Sequence, residues 1–224
     1  MTEAEATVPA RPPRAVVVTG ASSPVARAMA ARLAQRGDLV LMGSRRPDIC
    51  ERLAACLRTQ GATAFAAHLD LAETSSIDRF VESARYLVGE VDVLVTDAGL
   101  SAGKAHVVGA QHLAAQVIPP MMRRGRGDVV LLSPDILARS TPPTTAACRR
   151  ALDAWLSGLD AEFVGTGVRA SILRSGYPRG RVAPDDVACV VAAMVGSREP
   201  MQLRLVEVIS HLPASAPTNE RRVR

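Results

Sequence analysis

Apolar residues in this chain follow a regular two-part rhythm. Short, nearly unbroken apolar runs occur at Ala15 to Thr19 (AVVVT), Leu39 to Met42, Ala64 to Leu69, Val91 to Thr96, Asp128 to Ser133, Val168 to Leu173 and Leu203 to Ile209. Continuous rather than alternating runs are expected of strands buried on both faces. Longer, mixed stretches lie between them, at Pro24 to Arg36, Pro47 to Gln60, Thr74 to Val88, Ala105 to Arg123, Thr145 to Phe163 and Pro184 to Val195, and read as helices. Pro24 and Pro47 each stand at a first helical turn, where the missing N–H costs nothing. Strands that alternate with helices predict an α/β fold: a Rossmann-type, doubly wound, seven-stranded parallel sheet with helices on both faces. Ligands of such sheets sit beyond the strand C-termini, at the switch point beside the first strand.

The ends of the chain break this rhythm. Residues Met1 to Arg14 (MTEAEATVPARPPR) carry three prolines and no periodicity, and read as a flexible arm. The tail from Pro213 (PASAPTNERRVR) reads the same way, which leaves residues 15–212 as one expected domain. A chain of 224 residues suits one domain with a full core. Only 3% of it is aromatic, so Val, Leu, Ala and Ile must pack that core.

Charge and cysteine use narrow the function classes. The net charge of +5 comes almost wholly from arginine, Lys104 being the only lysine. Those arginines are spread over many helices, base-stacking aromatics are scarce and no nucleic-acid motif appears, so no nucleic-acid partner is expected. Cys50, Cys56, Cys148 and Cys189 form no CxxC pair, which argues against both a metal site and a disulfide framework. No apolar run has the length of a membrane span, and the acidic, Pro-rich start is unlike a signal peptide. A cytoplasmic protein is the expectation.

Seven short segments fall in order at the expected strand ends and helix starts. They are TGASSPVA (Thr19 to Ala26), SRR (Ser44 to Arg46), LDL (Leu69 to Leu71), TDAG (Thr96 to Gly99), IPPMMRRGRGDVVLLS (Ile118 to Ser133), GVRASILRSG (Gly167 to Gly176) and APDDVACVVAAMV (Ala183 to Val195). Together they resemble the short-chain dehydrogenase/reductase family, with its TGxxxGxG loop, NNAG turn and GVRVxxxxPG strand, from about Arg14 to Pro213.

The resemblance implies a nicotinamide dinucleotide site at the glycine loop. Gly20 and Ser22 are its first contacts, but the second and third glycines of the motif are Pro24 and Ala26. Proline removes a donor and adds a ring where the pyrophosphate would pack, although it also suits a helix start. The family's pattern places Asp70 and Leu71 around the adenine and Ala98 and Gly99 along the ribose. Arg45 either pairs with a 2′-phosphate, favouring NADP(H) over NAD(H), or is a solvated turn residue. The expected cofactor is therefore none, or weakly held NADP(H).

The catalytic positions depart further. By resemblance, the family's Asn, Tyr and Lys fall on His106, Thr145 and Arg149, and its Ser falls on Pro134 or, with a realigned loop, Ser133. A tyrosine phenol titrates at about 10 and can be tuned down. A threonine hydroxyl is too weak an acid for that role, and a guanidinium fork does not reproduce a compact ammonium. Losing one general acid forfeits about 10²- to 10⁴-fold in rate. The segments after Thr96 and after Gly176 are also short for the family, which trims the substrate lid. His106, Ser133, Asp97 and Thr145 all stand near strand C-termini, so a replacement Ser/His or His general-acid chemistry is conceivable; the plainer reading of His106 is a half-buried helix residue. Cys148 reads as a small buried residue in an Ala-rich face.

Finally, Ala147, Ala151, Ala154, Trp155, Gly158 and Leu159 share a stripe on the helix from Thr145 to Phe163. By resemblance this helix carries the subunit interface, with Trp155 as anchor; the alternative is packing on the sheet. The expected function is a degenerate member of the family, a pseudoenzyme serving as a structural or binding subunit in a homo- or hetero-oligomer, with an active paralogue as one candidate partner. The alternative is an atypical NADP(H)-dependent oxidoreductase, or a non-redox cyclase, dehydratase or isomerase of secondary metabolism, working in the same cleft.

Overall fold

The computed structural model of the chain describes residues 12–97, 104–134, 143–175, 182–196 and 201–209. Its strands are β1 (Ala15–Val18), β2 (Leu39–Ser44), β3 (Ala64–His68), β4 (Val93–Asp97), β5 (Gly127–Pro134), β6 (Val168–Ser175) and β7 (Leu205–Val208). The helices are α1 (Pro24–Gln35), α2 (Pro47–Thr59), α3 (Thr74–Leu87), α4 (Lys104–Arg124), α5 (Pro143–Phe163) and α6 (Pro184–Gly196). All neighbouring strands run parallel, in the order β3-β2-β1-β4-β5-β6-β7. This is the seven-stranded, doubly wound sheet that the alternation predicts. Element ends differ from the sequence reading by one or two residues. Among the described residues, no helix is long and apolar enough to cross a membrane.

The sheet sorts its side chains by the twofold period of a strand. Val17, Leu41, Leu94, Val129 and Leu131 face α3, α4 and α5, and pack with Ile77, Phe80, Leu113 and Leu152. Val16, Val18, Val40, Met42, Val93 and Val95 face α1, α2 and α6, and pack with Met29, Leu33, Leu57 and Val191. Both faces are therefore dry, and a nearly all-aliphatic core fills them. Phe80 and Phe163 are the aromatic residues within it.

The edge of the sheet where the strands begin is tied by charge. Arg14 does not behave as the last residue of an arm: its N–H donates to Asp38 Oδ1 (3.3 Å) and its carbonyl accepts from Leu39 (2.8 Å). Its guanidinium reaches Asp128 Oδ2 at 3.2 Å and the Val195 carbonyl at 2.6 Å. Arg169 holds the other oxygen of Asp128 at 2.7 Å. Between α3 and α4, hydrogen bonds from His112 and Gln116 hold the Asp78 carboxyl below its ordinary range.

One close approach sets the position of α4. A Cβ on Gly109 would stand 1.7 Å from the Leu71 carbonyl oxygen, so only glycine lets α4 lie against the turn after β3. Gly158, on the outer side of α5, meets nothing within 4 Å. The two glycines should answer oppositely to alanine. Gly109→Ala should cost about 1–3 kcal/mol, because backbone must move. Gly158→Ala should add about 0.5–1 kcal/mol of helix stability. Denaturant melts of the two variants test the pair, and equal effects would mean that the α4 contact is not tight.

Candidate functional site

Four strand ends and one helix start surround a cavity of about 190 Å³ at the switch point between β1 and β4. The β1–α1 loop contributes Gly20, Ser22 and Ser23, and the end of β2 contributes Ser44 and Arg45. Leu69 and Leu71 supply the apolar wall, while Asp97 and His106 close the far side. A larger hollow of about 670 Å³ lies between the C-terminal halves of α1 and α6, around Arg32, Arg36, Cys189 and Ala192. That groove belongs to the opposite end of the sheet, away from the strand C-termini where ligands of this architecture bind.

The loop around Gly20 is tightly stitched. Thr19 N–H donates to the Val95 carbonyl (3.0 Å), and Thr19 Oγ1 accepts from the Asp97 N–H (2.9 Å). Gly20 turns with φ +63, and a Cβ there would stand 2.9 Å from both Cβ and Oδ2 of Asp97. A carboxylate thus lies directly against the first glycine of the loop. Ser23 caps α1: its hydroxyl accepts from the Ala26 N–H at 3.2 Å. Pro24, exposed at the first helical position, has no N–H to offer. Two of the donors that a helix start would present to a phosphate are therefore absent or occupied. Ala26 is buried in the contact between α1 and the sheet, which tolerates its methyl group.

The remaining nucleotide positions divide. Arg45 is exposed and lines the cavity, next to Ser44, whose hydroxyl accepts from the Arg46 N–H at 3.0 Å. Leu71 is buried and lines it too. Asp70 is engaged in its own turn: Oδ1 accepts from the Ala72 N–H (2.9 Å), and its N–H donates to Ser76 Oγ (3.0 Å). Ala98 and Gly99 lie outside the described residues.

The positions corresponding to the catalytic set each have their own surroundings. His106 is half-buried and lines the switch-point cavity, with a buried Nδ1 that has no hydrogen-bond partner. Ser133 is completely buried in β5, and its hydroxyl also lacks a partner. No hydrogen bond links these two atoms, so they do not form a Ser/His pair. Pro134 ends β5. Thr145 is half-buried in the first turn of α5. Arg149 lies one turn on, with Nε 3.7 Å from Asp153 Oδ2. Asp153 is shared: Arg174 Nη2 reaches its other oxygen at 2.6 Å, while Arg174 Nη1 holds Glu207 at 2.9 Å. Burial works against the Arg174 charge, but Glu207 and Asp153 outweigh it and raise its pKa.

Sequence reasoning missed Asp97 as a neighbour of Gly20, Gly109 as a spacer, and the Arg174–Asp153 pair. A usable signal existed for the first, since TDAG carries an acid where the family motif has an amide. Cys148 is buried in the core beside Leu152, as its Ala-rich setting suggests. Burial raises the Cys50 thiol, which leaves it a packing residue rather than a nucleophile. Among the described residues, no group of three or more His, Cys, Asp or Glu side chains is arranged to hold a metal ion.

These features match a known family over most of the chain. Residues 14–183 match the short chain dehydrogenase family, and the chain belongs to it. It is 30% identical over 224 aligned positions to 1-deoxy-11-beta-hydroxypentalenate dehydrogenase of Streptomyces exfoliatus, covering 82% of this chain and 80% of that one. It is 29% identical over 180 positions to the glycine betaine reductase ATRR of Emericella nidulans, covering 73% of this chain but spanning only 14% of that relative. The fold also superimposes on an alcohol dehydrogenase from Thermococcus sibiricus complexed with 5-hydroxy-NADP. The TM-score is 0.77 at 24% identity, over 89% of this chain and 97% of the other. At that identity the likeness speaks for the fold alone.

If Pro24 obstructs the pyrophosphate, Pro24→Gly should tighten NADPH binding by about tenfold or more. Calorimetric titration of both proteins measures this. Unchanged affinity would move the obstruction from Pro24 to Asp97.

Proposed function

We propose that this chain is a non-catalytic member of the short-chain dehydrogenase/reductase family, a pseudoenzyme that acts as a structural or binding subunit. The observation that carries the reading is the state of the Tyr and Lys positions. Thr145 has no readily ionised hydroxyl, and the Arg149 charge is directed along its own helix to Asp153. A general acid and the cation that would tune it are both missing from their places. Ser133, sealed inside β5, has no surface from which to bind a substrate oxygen.

An apolar outer face supports the subunit role. Ala151, Ala154 and Gly158 are exposed along α5, with Ala147 half-exposed, and Val108 on neighbouring α4 is 64% exposed. Small side chains permit close helix contact. The stripe read from the sequence is narrower than expected. Leu159 is buried, and Trp155 packs against the core of its own subunit, so Trp155 is not a free anchor. We take the partner to be a second copy of this chain or an active relative of the same fold, in a reducing cytoplasmic setting that suits cysteines not joined in disulfides.

A second reading keeps the cleft as an active site. The buried, unpartnered His106 Nδ1 and the named dehydrogenase activity of the Streptomyces relative favour an atypical NADP(H)-dependent oxidoreductase, or a non-redox cyclase, dehydratase or isomerase of secondary metabolism. The two readings separate on purified protein. On the subunit reading, NADPH oxidation with a panel of ketones should run at least about 10²-fold below that of an intact family member. Ala154→Arg should then shift the assembly towards monomer in light scattering, without changing the far-ultraviolet circular dichroism. NADPH-dependent ketone reduction that His106→Ala abolishes would replace the first reading with the second.

A further inference from the structure

We infer that the groove between the C-terminal halves of α1 and α6 is the docking site of this chain's own N-terminal segment, residues 1–11, with Glu3 and Glu5 paired to Arg32 and Arg36. The helix α1 contributes both arginines, α6 contributes Cys189, Ala192 and Ala193, and Met201 adds an apolar edge. This lining holds two cations and no carboxylate. Arg36 uses one nitrogen on the Ala192 carbonyl, which ties the two helices, and among the described residues neither arginine has an acidic partner. Exposed cations beside small apolar side chains suit a peptide that is itself acidic and small-featured. Residues 1–11 (MTEAEATVPAR) have that character, with Glu3 and Glu5 set among Ala4, Ala6 and Val8.

The place where this segment joins the domain favours it over other occupants. Arg14 lies between the two helix ends that frame the groove. Its N–H donates to Asp38, just beyond α1, and its Nη1 donates to the Val195 carbonyl in the last turn of α6. Pro12 and Pro13 are exposed beside it and hold the chain extended as it leaves. Arg32 stands one turn before Arg36, about 6 Å along the helix. The stretch from Glu5 to Pro13 can span up to roughly 30 Å, so both arginines are within reach. Residues 210–224 are a poorer match: they follow β7, whose end lies at the cavity edge of the sheet, and they carry Arg221, Arg222 and Arg224. Residues 197–200 have no net charge, with one arginine and one glutamate. Attachment at Arg14 keeps residues 1–11 at an effective concentration in the range of about 1 mM, so contacts too weak to join separate molecules suffice. Nothing in this docking depends on whether the cleft is catalytic.

The cysteines provide the test. Cys189 is exposed in the groove, Cys56 is exposed on α2, and Cys50 and Cys148 are buried. Maleimide labelling of the full chain therefore reads the groove at Cys189 against an internal control at Cys56. Glu3→Arg with Glu5→Arg should speed labelling of Cys189 by about threefold or more and leave Cys56 unchanged. Salt at about 1 M should do the same to the unsubstituted chain, because it screens exposed ion pairs. Adding Arg32→Glu to the double variant should return part of the protection, since the pair is then reversed rather than lost. Equal Cys189 rates with and without the glutamates, an equal rise at Cys56, or no recovery with Arg32→Glu would each overturn the inference. Protection that grows with protein concentration would place the segment on a second copy, and would overturn docking within one chain.

Discussion

Everything at the functional end of this molecule depends on how β1 is held between β2 and β4. The chain winds outward from β1 to β3, then returns to start again at β4, so the loops after β1 and β4 diverge to opposite faces. The Thr19 contacts with Val95 and Asp97 fix the two strand ends at the point of divergence. A gap opens there because no connection crosses it. The dry packing on both faces of the sheet keeps that gap from collapsing, since neither strand can slip without exposing a valine stripe to water.

Within that fixed frame a few residues decide which polar groups face the gap. Glycine loops bind phosphate through bare backbone and helix-start amides, a device with little redundancy. Here one of those amides serves Ser23, another is replaced by a proline ring, and a carboxylate backs the glycine that remains. At the neighbouring end of β6, Arg174 and Arg149 converge on Asp153, so two cations are absorbed in a structural network. Aliphatic side chains pack both faces of the sheet, while these polar groups at its edge bond to one another.

The strand-and-helix rhythm was fully legible because continuous valine-rich runs have little alternative to a buried parallel strand. The helix starts were legible for a similar local reason, Pro24 and Pro47 being restricted to a first turn. The site was legible only in part. The positions of Arg45, Leu71 and His106 at the strand ends follow from topology, but topology says nothing of where a side chain's charge is spent. That Asp70 closes its own turn and that Arg149 turns to Asp153 are local choices, which spacing permits but does not dictate, and the sealing of Ser133 depends on the exact rise of a strand. The stripe on α5 shows the same limit: helical spacing groups Leu159 with Gly158, while a rotation of one residue separates core from surface.

The anchoring of Arg14 determines how this domain can be presented to its surroundings. Arg14 is fastened to Asp38, Asp128 and Val195 at the edge where the strands begin, whereas the cavity opens at the edge where they end. Anything joined to the chain ahead of Arg14 therefore meets the domain from the far end of the sheet. A pull on the chain ahead of Arg14 is borne by its ion pairs with Asp38 and Asp128 before it reaches the first strand, so the load falls on charge at one end of the sheet and not on the cavity at the other.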